Sequence, residues 1–270
     1  MSVEYSISDL RYLMSRLRDP NTGCPWDIKQ TYKTITSHTI EEVYEVVDAI
    51  ERGDIEHLSE ELGDLLFQII FYSQLGEEDN QFNFDEVVSG ITAKLLRRHP
   101  HVFPYGTLAS VRDSNTVATE AEIKQNWEAI KSQERKAVGA AGTLDDIPLA
   151  LPAISRAFKL QKRAATKGFD WTQVSDVLAK VKEEIAELEV EIAKGDHQAM
   201  EDELGDLLFS CVNLSRHLSI DPEKAMARAS SKFKQRFEAM EAHVGVEQFA
   251  ELSTAEMELE WVRAKALESD

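Results

Sequence analysis

An all-α fold, built from two tandem copies of one helical unit, is what this sequence predicts, and three observations carry the expectation. The first is an internal repeat. Glu41, Gly53, Glu61 and Phe67 recur as Glu183, Gly195, Glu203 and Phe209, each 142 residues later, within the matching runs EEVYE/EEIAE, GD and ELGDLLF. The second is periodicity. Val43, Val46, Val47 and Ile50 share one helical face, as do Val181, Ile185, Leu188 and Ile192, and no segment sustains a period-2 alternation. The third is composition: 7 Pro and 12 Gly in 270 residues are few for a turn-rich β fold.

In chain order, the first apolar stripe ends at Gly53-Asp54, read as a short break between two antiparallel helices. ELGDLLF opens the carboxylate-bearing face of the next helix. GEEDNQFNF (76–84) reads as a connection longer than its counterpart near 217–221. Asn83 with Glu86 forms a capping-box signature that starts the next helix. An irregular stretch spans 104–116, and Trp127 and Lys131 stand four apart beyond it. AVGAAGTLDDIP (137–148) is small and turn-prone, which places the boundary near 140, between units 1–140 and 141–270. The second unit repeats the scheme. Gly195-Asp196 is its break, Asp221-Pro222 an N-cap followed by Pro at the first helical position, and Ser253 with Glu256 a capping box. Apolar faces such as LLFQIIF (65–71) need a further helix layer, supplied by the other repeat or by a second chain.

The formal charge of −19 is opposite in sign to that of a duplex-binding protein, so no nucleic-acid partner is expected. Bound divalent cations, or simply a soluble acidic surface, account for it. Cys24 and Cys211 have no CxxC partner and are expected to be reduced. No signal-peptide pattern opens the sequence, and the most apolar run, Leu65 to Tyr72, is broken by Gln68. A cytoplasmic protein without a membrane partner is the default expectation.

The repeated carboxylates carry the chemistry. Residues three or four apart share a helix face, so Glu42 pairs with Glu45, and Glu61 with Asp64 across the helical break. The second unit offers Glu184 and Glu187 against Glu203 and Asp206. A single ExxE on an acidic helix is usually a solvated face; two sets with identical spacing, beside basic residues, are not. Converging carboxylates repel unless a cation joins them. All-oxygen ligation selects Mg2+, with Mn2+ as a substitute. The Glu-x-x-His pattern of di-iron bundles is missing, and whether one ion or two binds is left open. Lys232 and Arg236, four apart, are suited to gripping phosphate oxygens. Lys180, one turn before Glu184, could reach the same phosphates; its first-unit counterpart is His38. Trp261 either stacks on a base or buries its ring. Lys94, Arg97 and Arg98 form a basic cluster in the first unit.

With these residues in view, the chain resembles the MazG-type nucleoside triphosphate pyrophosphohydrolases. The signature is EExxE followed by ExxD. Supporting motifs are CPWD (24–27), EELGDLLFQ (60–68), KLLRRHPHVF (94–103), NWEAIK (126–131), LDDIP (144–148), GFDW (168–171) and DELGDLLFS (202–210). The resemblance spans almost the whole chain and is strongest to tandem bacterial members. It implies Mg2+-dependent hydrolysis of NTPs or dNTPs to monophosphate and pyrophosphate, a four-helix-type core and a homodimer. It also implies metal ligation by Glu184, Glu187, Glu203 and Asp206, with nucleotide contacts from Lys180, Lys232, Arg236 and Trp261. Glu183 or Glu184 would help to deprotonate the attacking water. Glu42, Glu45, Glu61 and Asp64 match the ligand pattern as a second candidate metal site. Two departures stand out: His38 replaces the Lys, and Ala199 stands where related members can place a Lys. The competing readings are a dUTP-specific relative and a non-catalytic helical protein that binds nucleotide or a partner.

Overall fold

A computed structural model describes residues 4–113, 118–137 and 142–267, and every regular element among the described residues is a helix. The first unit runs α1 (Ile7–Leu17), α2 (Pro25–Ile28), α3 (Thr36–Arg52), α4 (Ile55–Glu78), α5 (Phe84–Arg98) and α6 (Glu120–Ala137). The second runs α7 (Ala153–Ala165), α8 (Val174–Lys194), α9 (His197–His217), α10 (Pro222–Val244), α11 (Val246–Phe249) and α12 (Thr254–Leu267). The chain divides into two compact units, Met1–Glu134 and Arg135–Asp270. The boundary expected near 140 falls on residues 138–141, outside the described residues.

The central feature of each unit is a helical hairpin, α3 on α4 and α8 on α9. Its turn is dictated by sequence. Gly53 and Gly195 adopt left-handed conformations, φ 69° and 74°, which a residue without Cβ enters at little cost. The following aspartate starts the next helix at once. Asp54 Oδ1 accepts the His57 N–H at 3.1 Å, and Asp196 Oδ1 accepts the N–H groups of Gln198 and Ala199. The other helix starts follow the sequence as well: capping boxes at Asn83/Glu86 and Ser253/Glu256, and an Asp221 cap before Pro222. The 76–84 stretch differs from its reading as a loop. Helix α4 continues through Glu78, so the extra length of the first copy is largely helix.

Arginines tie the remaining segments to the hairpins. The Arg18 guanidinium donates to Glu78 at the end of α4 and to the Gln30 carbonyl at 3.2 Å, anchoring the segment around α2 that contains CPWD. In the second unit Arg216 forks onto Asp170 of GFDW and onto Asn213, and His217 Nε2 lies 2.9 Å from the same aspartate. The second half of the expected linker is not free: Arg163 of α7 binds Asp146 at 2.9 Å and the Thr143 carbonyl at 3.2 Å.

The buried core of the first unit is Met14, Ile35, Ile70, Phe71 and Leu75; a smaller cluster of Met240, Phe249 and Ala264 lies in the second. The stripes read from periodicity contribute little to either. Val43, Val47 and Ile50 are exposed, as are Ile185 and Ile192, while Ala49 is the fully buried residue of α3.

Candidate metal centre

Each hairpin brings carboxylates from both of its helices together. In the first unit, oxygens of Glu42, Glu45 and Glu61 all lie within 4.8 Å of one another; in the second, oxygens of Glu184, Glu187 and Glu203 do the same. Six of the eight sequence-predicted ligands are thus assembled, three per unit. Asp64 and Asp206 are exposed on the same helices, one turn beyond Glu61 and Glu203, and stand outside these tight sets. Asp64 is near enough to act electrostatically on Glu42 and Glu61.

Each set runs from a buried to an exposed carboxylate. Glu61 and Glu184 are buried, whereas Glu45 and Glu187 face solvent. Burial, reinforced by neighbouring carboxylates, pushes the carboxyls of Glu42, Glu61 and Glu187 above the ordinary range. For Glu61 the adjacent carboxylate is Glu45; for Glu187 they are Glu184 and Glu203. This charge crowding, with an all-oxygen donor set, fits a hard divalent cation. An ion of charge +2 would offset the repulsion that destabilises the ionised carboxylates.

The two sets differ in the positive groups beside them. Lys180 Nζ lies 2.8 Å from Glu184 and 2.7 Å from Glu183, and hydrogen bonds to both hold its ammonium above the ordinary lysine value. In the first unit His38 turns away, its Nδ1 3.6 Å from Glu41 and its ring edge-on to Trp26 at 5.9 Å. Two further nitrogen donors there were not singled out from sequence. His57 Nε2 lies 2.9 Å from Glu61 Oε1, and Gln68 Nε2 donates to Glu42 at 3.4 Å. The i,i+4 spacing of His57 and Glu61 was a legible signal; Gln68, buried in an apolar run, was not.

The phosphate-gripping candidates lie on neighbouring helices. α10, which carries Lys232 and Arg236, packs on α9, and α5 packs on α4. Lys232 is exposed, while the Arg236 guanidinium sits 5.5 Å over the Trp261 ring. Trp261 also leans on Phe233 at 5.4 Å and packs against the second core, so its ring is partly buried rather than free. In the first unit the basic cluster is already engaged. Arg98 binds Glu134 at 2.6 Å and Arg97 reaches the other oxygen of the same carboxylate at 3.1 Å. There, Lys131 stacks over Trp127 at 4.0 Å.

Comparison with known proteins agrees with this duplication. The family model described as the MazG nucleotide pyrophosphohydrolase domain matches twice, over residues 30–103 and 172–240. Each match contains one hairpin and one complete carboxylate set. The chain is 44% identical to the nucleoside triphosphate pyrophosphohydrolase of Escherichia coli (strain K12) over 268 residues, 98% of each chain. It is 38% identical to the nucleoside triphosphate pyrophosphohydrolase/pyrophosphatase MazG of Thermotoga maritima, over 95% of this chain and 94% of that one.

Proposed function

This chain belongs to the MazG nucleotide pyrophosphohydrolase family and is a hydrolase of nucleoside triphosphates, and we propose that it cleaves them between the α- and β-phosphates in a Mg2+-dependent reaction centred on the second unit. The observation that carries this reading is the convergence of Glu184, Glu187 and Glu203 within 4.8 Å, with Lys180 on the same helix face 2.8 Å from Glu184. A non-catalytic role has no support beside the family match.

In this reading Glu184, Glu187, Glu203 and Asp206 hold the ion, which when bound supplies charge neutralisation at the phosphates and activation of water. The remaining steps belong to side chains. Lys180, Lys232 and Arg236 hold the triphosphate chain, Arg in a fork and the lysines as point charges. Glu183 or Glu184 accepts a proton from the attacking water as it adds to phosphorus at the α–β junction. The bond to the bridging oxygen breaks, and pyrophosphate leaves toward Lys180, whose charge is fixed at neutral pH. Trp261 offers a ring edge for the base while its other side stays on Phe233. NTPs and dNTPs are the substrate class. Removal of unwanted nucleotides or control of nucleotide pools under stress is the corresponding role. Two free cysteines and a nucleotide substrate are consistent with the cytoplasm.

Product analysis tests the bond cleaved. ATP with Mg2+ should yield AMP and pyrophosphate on ion-exchange chromatography, and activity should vanish with chelator. ADP and inorganic phosphate as primary products would overturn the α–β assignment.

A further inference from the structure

Arg97 and Arg98 stand in the last turn of α5 and converge on one carboxylate of α6, 37 and 36 residues away in sequence. Arg98 donates through Nε at 3.0 Å and Nη2 at 2.6 Å to Glu134 Oε2, and Arg97 Nη2 donates to Glu134 Oε1 at 3.1 Å. Both oxygens are thus taken. These hydrogen bonds, led by those from Arg98, hold the Glu134 carboxyl below its ordinary value. The side chains of Arg98 and Glu134 are only 21% and 25% exposed, so water screens the contact less than it would an open surface pair. Lys94, half-buried, stands one turn before Arg98 on the same face. Among the described residues α6 packs broadly on no other helix, so this fork is its main tie to α5. The place in the repeat matters. Lys94 and Arg98 recur as Lys232 and Arg236, but Gln235 stands where the first unit has Arg97. The first unit therefore has one cation more at this spot, with a carboxylate of its own chain seated between the arginines. Helix carbonyls at the end of α5 repel anions, so the arginines themselves supply the attraction.

We propose that Lys94, Arg97 and Arg98 form an anion site for a phosphate-bearing ligand, of which inorganic pyrophosphate is the simplest, and that Glu134 occupies this site as an internal carboxylate in the free chain. The site lies apart from the reaction assigned to the second unit. Binding exchanges one anion for another: the Glu134 carboxylate turns out to water as a phosphate group takes the arginine donors. Planar guanidinium forks match phosphate as they match carboxylate, and a phosphate group brings a third acceptor oxygen and more charge. Glu134 sets the affinity, because the ligand binds only to the fraction of chains in which the carboxylate has left. The alternative is that the contact only tethers α6 to α5.

The test uses the full-length chain carrying Lys232→Ala and Arg236→Ala, which removes the corresponding cations of the second unit, titrated calorimetrically with sodium pyrophosphate in the presence of chelator. Adding Glu134→Gln should tighten pyrophosphate by about 10- to 100-fold, the range that a competing charged hydrogen-bond acceptor withholds. Adding Arg97→Ala and Arg98→Ala to that chain should abolish the gain. In nitrogen-15 spectra of the Glu134→Gln chain, the Arg98 Nε–H resonance should move as pyrophosphate is added. Circular dichroism checks the fold. If Glu134→Gln loses helicity beyond that of α6, Glu134→Asp replaces it; this side chain is shorter but still charged, and it should tighten pyrophosphate by a smaller factor. Unchanged affinity in a folded variant would reduce the contact to a tether and overturn the proposal. So would a gain that survives the loss of both arginines. Either result leaves the metal-dependent hydrolysis to be decided by product analysis.

Discussion

At Lys180 the surroundings of the two carboxylate sets diverge most in charge. Its ammonium bridges Glu183 and Glu184, whereas His38, in the same place in the first unit, pairs with Glu41 and an aromatic edge. Losing one group aimed at developing charge typically slows a reaction about 10²- to 10³-fold, so the second unit should carry most of the turnover. Arg97 and Arg98 do not stand ready to replace the lysine, because Glu134 binds both. In a pyrophosphate-release assay, Glu61→Gln is expected to retain most activity and Glu203→Gln almost none; the reverse order, or equal halving, would reassign the repeats. A second residue sets stability rather than rate. Asp170, held by the Arg216 fork and then by His217, has its carboxyl lowered to about 2 from the ordinary 3.8. A lowered acid stabilises the fold above its unfolded value and loses that contribution as pH falls through its folded value. The gain of about 2 kcal/mol should therefore be complete at neutral pH and roughly halved by pH 3. Urea denaturation of Asp170→Asn should show a deficit at pH 7 that narrows at pH 3; a gap independent of pH would refute the ionic account.

Elements were legible where local chemistry decides them and obscure where packing does. The hairpin breaks, three caps and the carboxylate faces could all be read from residues, because each rests on a contact within four positions. The end of α4 could not. Gly76 and the acidic run behind it suggest a loop, yet Phe82 folds over Gly76 where a Cβ would meet it at 2.7 Å, and the helix is carried on beneath that contact. The ligand pairs were legible as faces, but spacing alone does not say that Asp64 and Asp206 stay outside the tight sets. His57 precedes Glu61 by one turn, an i,i+4 pair of the kind that local spacing makes legible. The hairpin turn supplies its own prediction. Gly195 has open space around its Cβ position, so Gly195→Ala would meet no clash and suffer only the left-handed backbone cost. That cost is roughly 1 kcal/mol. Thermal denaturation should register a loss of this size, with helicity unchanged in the folded state; an unaltered midpoint would show that the turn can relax.

On the scale of the whole molecule, the apolar surface left over is the main unexplained quantity. Leu62 and Leu66 are 50% and 36% exposed on α4, and their repeat partners Leu204 and Leu208 are 47% and 53% exposed on α9. With Val43, Ile50, Ile185 and Ile192 they line the hairpins on a side opposite in character to a solvated face. Soluble monomers rarely expose large apolar patches, and a hairpin of two helices lacks the opposing layer that a four-helix core supplies. The periodicity gave one apolar face per helix, and the single chain leaves most of that face exposed; burial against a second chain would leave the same sequence signature as burial within one. A second copy of this chain is the covering layer we propose. The net charge of −19 opposes that association and would be screened by salt, so the contact must be chiefly apolar and should tighten as ionic strength rises. Sedimentation velocity at micromolar concentration should give a dimer, more complete at 0.5 M than at 0.05 M NaCl. Leu62→Glu combined with Leu66→Glu, both already solvent-facing in the single chain, should keep the helicity of the parent and sediment as monomer. A native chain that is fully active as a monomer would remove the need for any partner and leave these stripes as an exposed surface of another purpose.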